Sequence, residues 1–464
     1  EYLNQVKSNH LGIKSSKLSE EAGQLRSEEG QAILAPTLFV NSQVTSDAKI
    51  LNIALLGFSS QVTKTFSMGV SKLTTFGLQA KFHYDLLEIT YNNPVSLFTI
   101  PGISSFVPTN YSLASPVLEL SQSIWGNGFG SSTRALQEQL EAQALASSYN
   151  ASFLSQQALA QAESAYWRLA LSRQAVRVQK EALDRAGKIY DWNARRARLH
   201  LGEQSDLLQA EALVQSRELD LQSTLNEERA ASLAFNTARN IDSSEVQEQL
   251  TELDGRLDEI QPPQRAELRK DVQAAQQAAR AAAAAAEVAI QKDMPSLDVF
   301  ASMALNGQPG PASGVPQGYT AATNLTDSMK NSFSFNRPTA TVGVRFSMPL
   351  DFATLGSARD GWRKEKIATE LNYDRKVFEQ NQGWKDLNQT FSETQKHLKL
   401  SRKLEQIQQS KLKNERERLL KGRTTTYQVL LFEQDYLLAQ LLRIKDQATL
   451  LNLVAQMKLF GETL

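Results

Sequence analysis

Residue types that carry most enzyme chemistry are scarce in this chain of 464 residues. It has no cysteine, which excludes disulfides, thiolate metal ligands and cysteine nucleophiles. Its four histidines do not pair at the spacing of metal ligands: His10, His83, His200 and His397. Carboxylates are plentiful but follow long polar helix faces, and we find no phosphate-binding glycine loop and no plausible catalytic triad. We therefore expect no enzyme activity, no metal centre and no cofactor.

The charge balance excludes a second class of protein. Its 50 basic side chains are matched by 50 acidic ones, whereas a nucleic-acid-binding protein carries a basic excess. No run of about 18 apolar residues occurs, so the sequence predicts no transmembrane helix. The first residues, EYLNQV, are already amphipathic, and we interpret the chain as a mature, processed form.

The polar residues with the most informative spacing follow two glycines. Gly202 and Gly422 each interrupt a long polar helix pattern, and a second helix pattern begins a few residues later. We expect both turns to lie at one end of the molecule and the strands at the other. We also expect Ser205 or Asp206 to cap the helix after the first turn. The residues predicted to cluster there are Gly202, Ser205, Asp206, Gly422, Arg423, Thr424, Thr425 and Gln428.

Four long helices are predicted around these turns. They cover 131–200 and 205–239 in the first half of the chain, and 357–420 and 425–460 in the second. Roughly 70 helical residues span about 100 Å, which is far longer than a compact domain. Apolar residues recur every seven positions, a spacing typical of supercoiled helices that pack against neighbours. This seam includes Leu169, Val176, Leu183, Tyr190, Trp384, Phe391, Leu398, Leu430, Leu437, Ile444 and Leu451.

Alternating apolar and polar residues predict six strands. Their segments are 37–45, 54–68, 73–91, 113–125, 297–306 and 339–350, with a turn at Ser67-Met68-Gly69. The strand at 73–91 exceeds the roughly 9–11 residues that a tilted strand needs to cross a bilayer. Alternation alone is equally compatible with a soluble sandwich, but the aromatic residues and the shortage of other strands favour a membrane. The predicted lipid-facing residues are Phe76, Leu78, Phe82, Tyr84 and Leu86.

The second half of the chain repeats the order of elements in the first half. We assign a first repeat to 1–240, an acidic linker to 241–264, and a second repeat to 265–464 that opens with a helix at 265–292. Two copies of strand, long helix, turn and long helix indicate a tube of the α+β class.

These segments, in this order, resemble the TolC-type outer membrane efflux proteins. The resemblance covers nearly the whole chain and rests on the order of its segments, because each motif by itself is weak. The glycine-centred turns match the family's arrangement, and so do the motifs EYLNQV, APTLFV, LELSQSIWGNGFG, RAELRKDVQAA, MPSLDV and FSMPL.

This resemblance implies a homotrimer in the Gram-negative outer membrane. Three chains would share one lipid-embedded β-barrel and one long periplasmic helical barrel, whose turns form the periplasmic gate. Such ducts carry drugs, toxins or secreted proteins outward, together with a periplasmic adaptor and an inner-membrane pump. The residues leave one alternative open, a coiled-coil rod with a structural or adhesive role and no channel.

Two features depart from the family pattern. The segment from Asp47 to Asn110 adds two strands, so we expect six strands per chain and about 18 in a trimer. The alternative is a 12-stranded barrel with an external hairpin. The family's second turn often carries aspartates after its glycine, where this chain has Gln428 and Leu431, and Asp206 stands two positions closer to its own glycine. Ion pairs of Arg423 and Glu433 are a possible replacement for that acidic ring.

Overall fold

The computed structural model describes most of the chain. The described residues are 1–48, 60–92, 110–250, 257, 260–307, 324–335 and 337–461. They belong to two compact units. We call the first the helical unit; it comprises Glu1–Gln24, Leu145–Gln276 and Leu371–Leu464. We call the second the sheet unit; it comprises Leu25–Ala144 and Gln277–Glu370. Among the described helices, none is both long enough and apolar enough to cross a membrane.

Six antiparallel strands form one sheet in the sheet unit, and they pair in sequence order. The strands are β1 Thr37–Asp47, β2 Ser60–Leu73, β3 Leu78–Asn92, β4 Asn110–Trp125, β5 Ser296–Leu305 and β6 Pro338–Ser347. Each predicted strand segment therefore has a counterpart, and the inserted β2 and β3 join the same sheet between β1 and β4. Within the described sheet, β1 and β6 each have a single strand neighbour.

The turn between β2 and β3 lies later in the chain than predicted. Gly69 is inside β2, directly opposite His83, and a Cβ at Gly69 would lie 2.4 Å from the Cβ of His83. Glycine is needed there for the close approach of the two strands, not for a turn. The turn instead runs from Thr74 to Gly77, whose φ is +80°. Residues 54–59 of the predicted second strand lie outside the described residues.

Nine α-helices lie within the described residues. They are α1 Tyr2–Asn9, α2 Leu11–Arg26, α3 Glu29–Ala32, α4 Ser131–Arg198, α5 Gln204–Thr237, α6 Lys270–Lys292, α7 Leu325–Asn331, α8 Phe352–Leu420 and α9 Thr426–Met457. The segment before β1 is divided into three helices, and the first ends where His10 adopts an extended ψ of 115° and accepts a hydrogen bond from the Ile13 N–H at its Nδ1. The short helix α7 lies between β5 and β6, where no element was predicted.

The core of the helical unit follows the seven-residue seam. Its largest buried side chains include Leu398 on α8, together with Leu437 and Ile444 on α9. Three positions after the seam residues 430, 437 and 444, α9 carries buried polar side chains instead: Glu433, Gln440 and Gln447. Polar groups at such positions need partners when they are buried. Glu433 and Gln440 both contact Arg185 on α4, and Gln447 accepts a hydrogen bond from Arg443 on its own helix.

Candidate functional site

The first helical turn ends α4 with a Schellman motif. Leu201 donates its N–H to the carbonyl of Arg196 over 2.9 Å, and His200 donates to Ala197 over 3.0 Å. His200 adopts the left-handed conformation, with φ of +55°. Gly202 lies two residues further on, and its φ is not positive. The residue that reverses the chain is therefore a histidine and not the glycine that drew attention in the sequence.

The second turn ends α8 with the same motif. Arg423 donates its N–H to the carbonyl of Arg418 over 2.9 Å, and Gly422 has φ of +68°. Gly422 is thus the structural counterpart of His200. Our sequence-based matching of Gly422 with Gly202 was wrong by two residues, because the left-handed position does not require glycine in every case.

Matching His200 with Gly422 also explains why Asp206 stands two positions closer to Gly202 than Gln428 stands to Gly422. Asp206 and Gln428 are each the third residue of their helix, α5 and α9, so they occupy equivalent places. Thr425 caps α9 by accepting the N–H of Gln428 over 3.3 Å. The cap of α5 is Glu203, whose side chain accepts no backbone hydrogen bond, and Ser205 donates to that carboxylate over 3.2 Å. The predicted capping by Ser205 or Asp206 was wrong.

These two turns give a direct test of backbone strain. The left-handed conformation costs a non-glycine residue roughly 1–2 kcal/mol. We expect His200→Gly to raise the free energy of unfolding by about 1 kcal/mol, and Gly422→Ala to lower it by a similar amount. Thermal unfolding followed by circular dichroism measures both changes. The control is Gly187→Ala inside α4, where a Cβ meets no atom within 4 Å. A loss of stability in that control would show that glycine replacement is harmful regardless of φ.

Buried contacts bring the two turns to the same end of the helical unit. The hydroxyl of Thr426, at the start of α9, lies 2.9 Å from Oδ1 of Asn193, near the end of α4. Both residues are buried, and Asn193 also donates to the carbonyl of Ile189 over 3.0 Å. An apolar cluster packs all four long helices together beside them: Ile189, Ala210, Leu412, Leu419, Val429 and Tyr436.

A completely buried carboxylate joins three of these helices. Glu433 on α9 has 0% exposure, and its Oε1 accepts the Nε–H of Arg185 on α4 over 2.5 Å. Its Oε2 accepts an N–H of Arg416 on α8 over 2.8 Å. The Arg185 guanidinium also lies over the ring of Tyr436, and burial raises the pKa of that tyrosine. We expected Glu433 and Arg423 to act together, but Glu433 binds these two arginines and Arg423 is exposed.

The other predicted gate residues surround the turns but differ in exposure. Thr424 is held in place because its hydroxyl donates to Glu415. Gly202, Asp206, Thr424 and Gln428 are half-buried, whereas Ser205, Gly422, Arg423 and Thr425 are exposed. Their arrangement around a three-fold axis stays a prediction.

One face of the sheet is apolar and exposed. A row of directly opposed residues crosses β1 to β5, and each member is exposed by 40% or more: Leu38, Val70, Phe82, Leu118 and Met303. On β6 the same face continues with Val342, Val344 and Phe346, which are also exposed. Soluble proteins rarely leave so large an apolar surface in water.

The opposite face of the sheet is crossed by a polar row, although Phe39, Val117 and Phe300 lie on the same face. Its central row is formed by Thr37, Ser71, Lys81, Glu119, Ser302 and Thr341, which oppose one another across all six strands. Lys81 and Glu119 form an ion pair at 3.5 Å. Nearby, Nδ1 of His83 lies 2.6 Å from Oδ1 of Asp85. These two central rows separate apolar from charged side chains as a transmembrane strand assembly does. Farther along β2 and β3, Lys64 and Glu88 form an ion pair at 3.2 Å on the apolar face.

The predicted lipid-facing residues have different environments. Leu78, Phe82, Tyr84 and Leu86 share the apolar face of β3, and Phe82 is 53% exposed. Tyr84 and Leu86 are half-buried. Phe76 was placed wrongly, because it lies in the β2–β3 turn and outside both strands.

Helix α7 is the element that the sequence analysis missed. Its cap, Asn324, accepts the N–H of Asp327 over 3.0 Å at its side-chain oxygen. The Asn-x-x-Asp spacing is a helix-start signal that could have revealed this helix.

Solved structures of outer-membrane channels match this chain over nearly its whole length. VceC from Vibrio cholerae is 13% identical, with a TM-score of 0.66, and the match covers 100% of this chain and 95% of VceC. The open state of MtrE from Neisseria gonorrhoeae is 16% identical, with a TM-score of 0.61 and coverage of 98% and 88%. CmeC from Campylobacter jejuni is 15% identical, with a TM-score of 0.56 and coverage of 99% and 86%.

No protein-family model matches the sequence, and no curated protein does. The likeness is therefore one of structure. The chain has the fold of these outer-membrane channels, and the resemblance to TolC-type proteins found in its sequence is confirmed at the level of the fold.

Proposed function

We propose that this protein is the outer-membrane exit duct of an efflux or secretion system in a Gram-negative bacterium. The observation that carries the proposal is the described sheet, which has an exposed apolar row on one face, a polar row on the other, and edge strands β1 and β6 with a single strand neighbour each. The fold shared with outer-membrane channels supports it.

The exposed apolar face requires a lipid environment. In water, each large apolar side chain left exposed forgoes roughly 1.5–3 kcal/mol of burial free energy. The strands contain 10 to 16 residues, enough to cross the hydrocarbon core at a tilt. The polar face, with Lys81 and Glu119, would then line a water-filled lumen.

The unpaired edges supply the argument for a trimer. Open strand edges are not tolerated in lipid, because their backbone groups have no water to bind. Six strands require further strands to close a wide barrel, and β1 of one copy can pair with β6 of the next. Three copies give about 18 strands, a number that leaves an aqueous channel. Because β2 and β3 pair along their length within the sheet, we favour this barrel over 12 strands with an external hairpin.

The resemblance of the sequence to TolC-type proteins supports a proposal for gating and partners. We infer that the duct is passive and that its periplasmic gate lies at the turns after α4 and α8. A periplasmic adaptor docking there, with an inner-membrane pump, would open it. Such an opening would have to break the contacts of the buried Glu433 or move all three helices together, because Glu433 ties α9 to α4 and α8.

Conductance measurements test the proposal directly. Trimers purified in detergent should insert into planar bilayers and give discrete current steps, and should resist dissociation on gels until heated. A protein that stays soluble without detergent and gives no current would instead support the coiled-coil rod.

A further inference from the structure

Helix α7 and the residues after it lie on the apolar face of the sheet. The hydroxyl of Ser328 donates to the carbonyl of Ser112 on β4 over 2.8 Å. The hydroxyl of Ser332 lies 2.8 Å from that of Tyr84 on β3. Tyr84 lies two residues after Phe82 and therefore on the same face of β3. This segment thus continues the apolar surface that we assign to lipid.

The segment lies at the end of the sheet remote from the helix connections. It joins the end of β5 to the start of β6, and it covers the first residues of β4. At the other end of the sheet, β4 leads to α4 and β6 leads to α8. In the proposed duct this remote end faces outward, at the rim of the bilayer.

This segment buries polar side chains and exposes apolar ones, which is the opposite of the pattern of a helix in water. Both serines that hold it, Ser328 and Ser332, have 0% exposure. Its large apolar side chains point outward instead: Met329 is 44% exposed, Phe333 65% and Phe335 72%. An apolar surface of this kind, fixed in place by buried hydroxyls, fits surroundings that are themselves apolar.

Strand order argues against a second copy of the chain as the occupant. The segment is held by β3 and β4, the two central strands of the sheet. Each free edge is two strands away, which at about 4.8 Å per strand is about 10 Å. A copy that pairs at β1 or β6 continues the sheet beyond those edges, so the surface over β3 and β4 remains directed to lipid.

We propose that residues 325–335 form an interfacial membrane anchor, which inserts Met329, Phe333 and Phe335 at the boundary between headgroups and acyl chains. Aromatic side chains are characteristic of this depth at the rims of membrane barrels. Lys330 is exposed on the same helix and can reach lipid phosphates. The inference rests on the proposed function, since it requires the apolar face to meet a bilayer.

Fluorescence quenching tests the anchor, and the absence of cysteine makes labelling simple. Phe333→Cys and Phe335→Cys are each labelled with a nitrobenzoxadiazole dye, and labelled trimers are reconstituted into phosphatidylcholine vesicles. We expect lipids with a nitroxide at the headgroup boundary to quench both labels more than lipids with a deep nitroxide. Aqueous iodide should have little effect. Met329→Cys provides a third site if one of the phenylalanine variants fails to form trimers.

Two control sites separate this inference from the proposed function. Phe82→Cys, on the exposed apolar row, should be quenched by the deep nitroxide, and Gln79→Cys, on the polar face, by iodide. Iodide quenching at positions 333 and 335, or no quenching by any agent there, overturns the anchor. If lipid nitroxides still quench the Phe82→Cys label in that experiment, the proposed duct stands. Iodide quenching at position 82 overturns the duct itself and the anchor with it.

Discussion

Glu433→Gln is expected to destabilise the helical unit by about 3 kcal/mol, because it leaves two arginines without their shared counter-charge. Arg185 has only 14% of its side chain exposed and cannot regain full hydration. Removing one partner of a buried ion pair costs about 3–5 kcal/mol, and the lower end applies because Arg416 is 35% exposed. Thermal unfolding by circular dichroism measures the change.

The matched control is an ion pair on the same two helices that is open to solvent. Asp435 of α9 lies 3.3 Å from Lys411 of α8, with 35% and 38% of the side chains exposed. Asp435→Asn should lower stability by less than about 1 kcal/mol, because solvent screens exposed pairs. If the two variants were equally stable, the buried position of Glu433 would have no special importance.

The Glu433→Gln variant also tests whether the Glu433 carboxylate contributes to gating. Glu433 ties α9 to both α4 and α8 beside the turns, so its loss should let these helices separate. We expect Glu433→Gln trimers to conduct more current in planar bilayers than Asp435→Asn trimers. A fall in stability with unchanged conductance would make the contact purely structural and place the gate elsewhere.

Met303→Arg is expected to reduce assembly of the trimer in membranes, although Met303 is 40% exposed. In a soluble protein, an exposed substitution of this kind changes stability by roughly 0.5 kcal/mol or less. On the lipid face of a barrel, arginine costs about 2–4 kcal/mol per chain at the bilayer midplane and less toward the rim, and Met303 lies two residues before the rim end of β5. The yield of heat-resistant trimers in vesicles should therefore fall, because each of the three chains carries the loss.

The adjacent residue provides the control for this prediction. Ser302 lies on the polar face of β5, directly opposite Glu119 on β4. Ser302→Arg should be tolerated, since its guanidinium would face the lumen and can pair with that carboxylate. Equal losses from both arginine substitutions would contradict the assignment of the two faces to lipid and water.

Local patterns in the sequence were sufficient for the six strands, for the long helices and for the residues of β3 that share a face. Alternation along β3 identified Leu78, Phe82, Tyr84 and Leu86 as one face, because successive side chains of any strand point to opposite sides. The seven-residue seam of α9 likewise placed Leu437 and Ile444 in the core. Such patterns depend only on backbone periodicity, which each segment carries by itself.

Long-range pairing decided what the sequence left open. Gly69 resembles a turn residue until β2 is aligned with β3 and its opposition to His83 becomes visible. His200 adopts a left-handed conformation that its residue type disfavours, because the packed helices on both sides over-determine the turn. One partner of Glu433 lies on α4, 248 residues away, and the other on α8, across the turn, so only the tertiary structure could show which of many arginines would neutralise it.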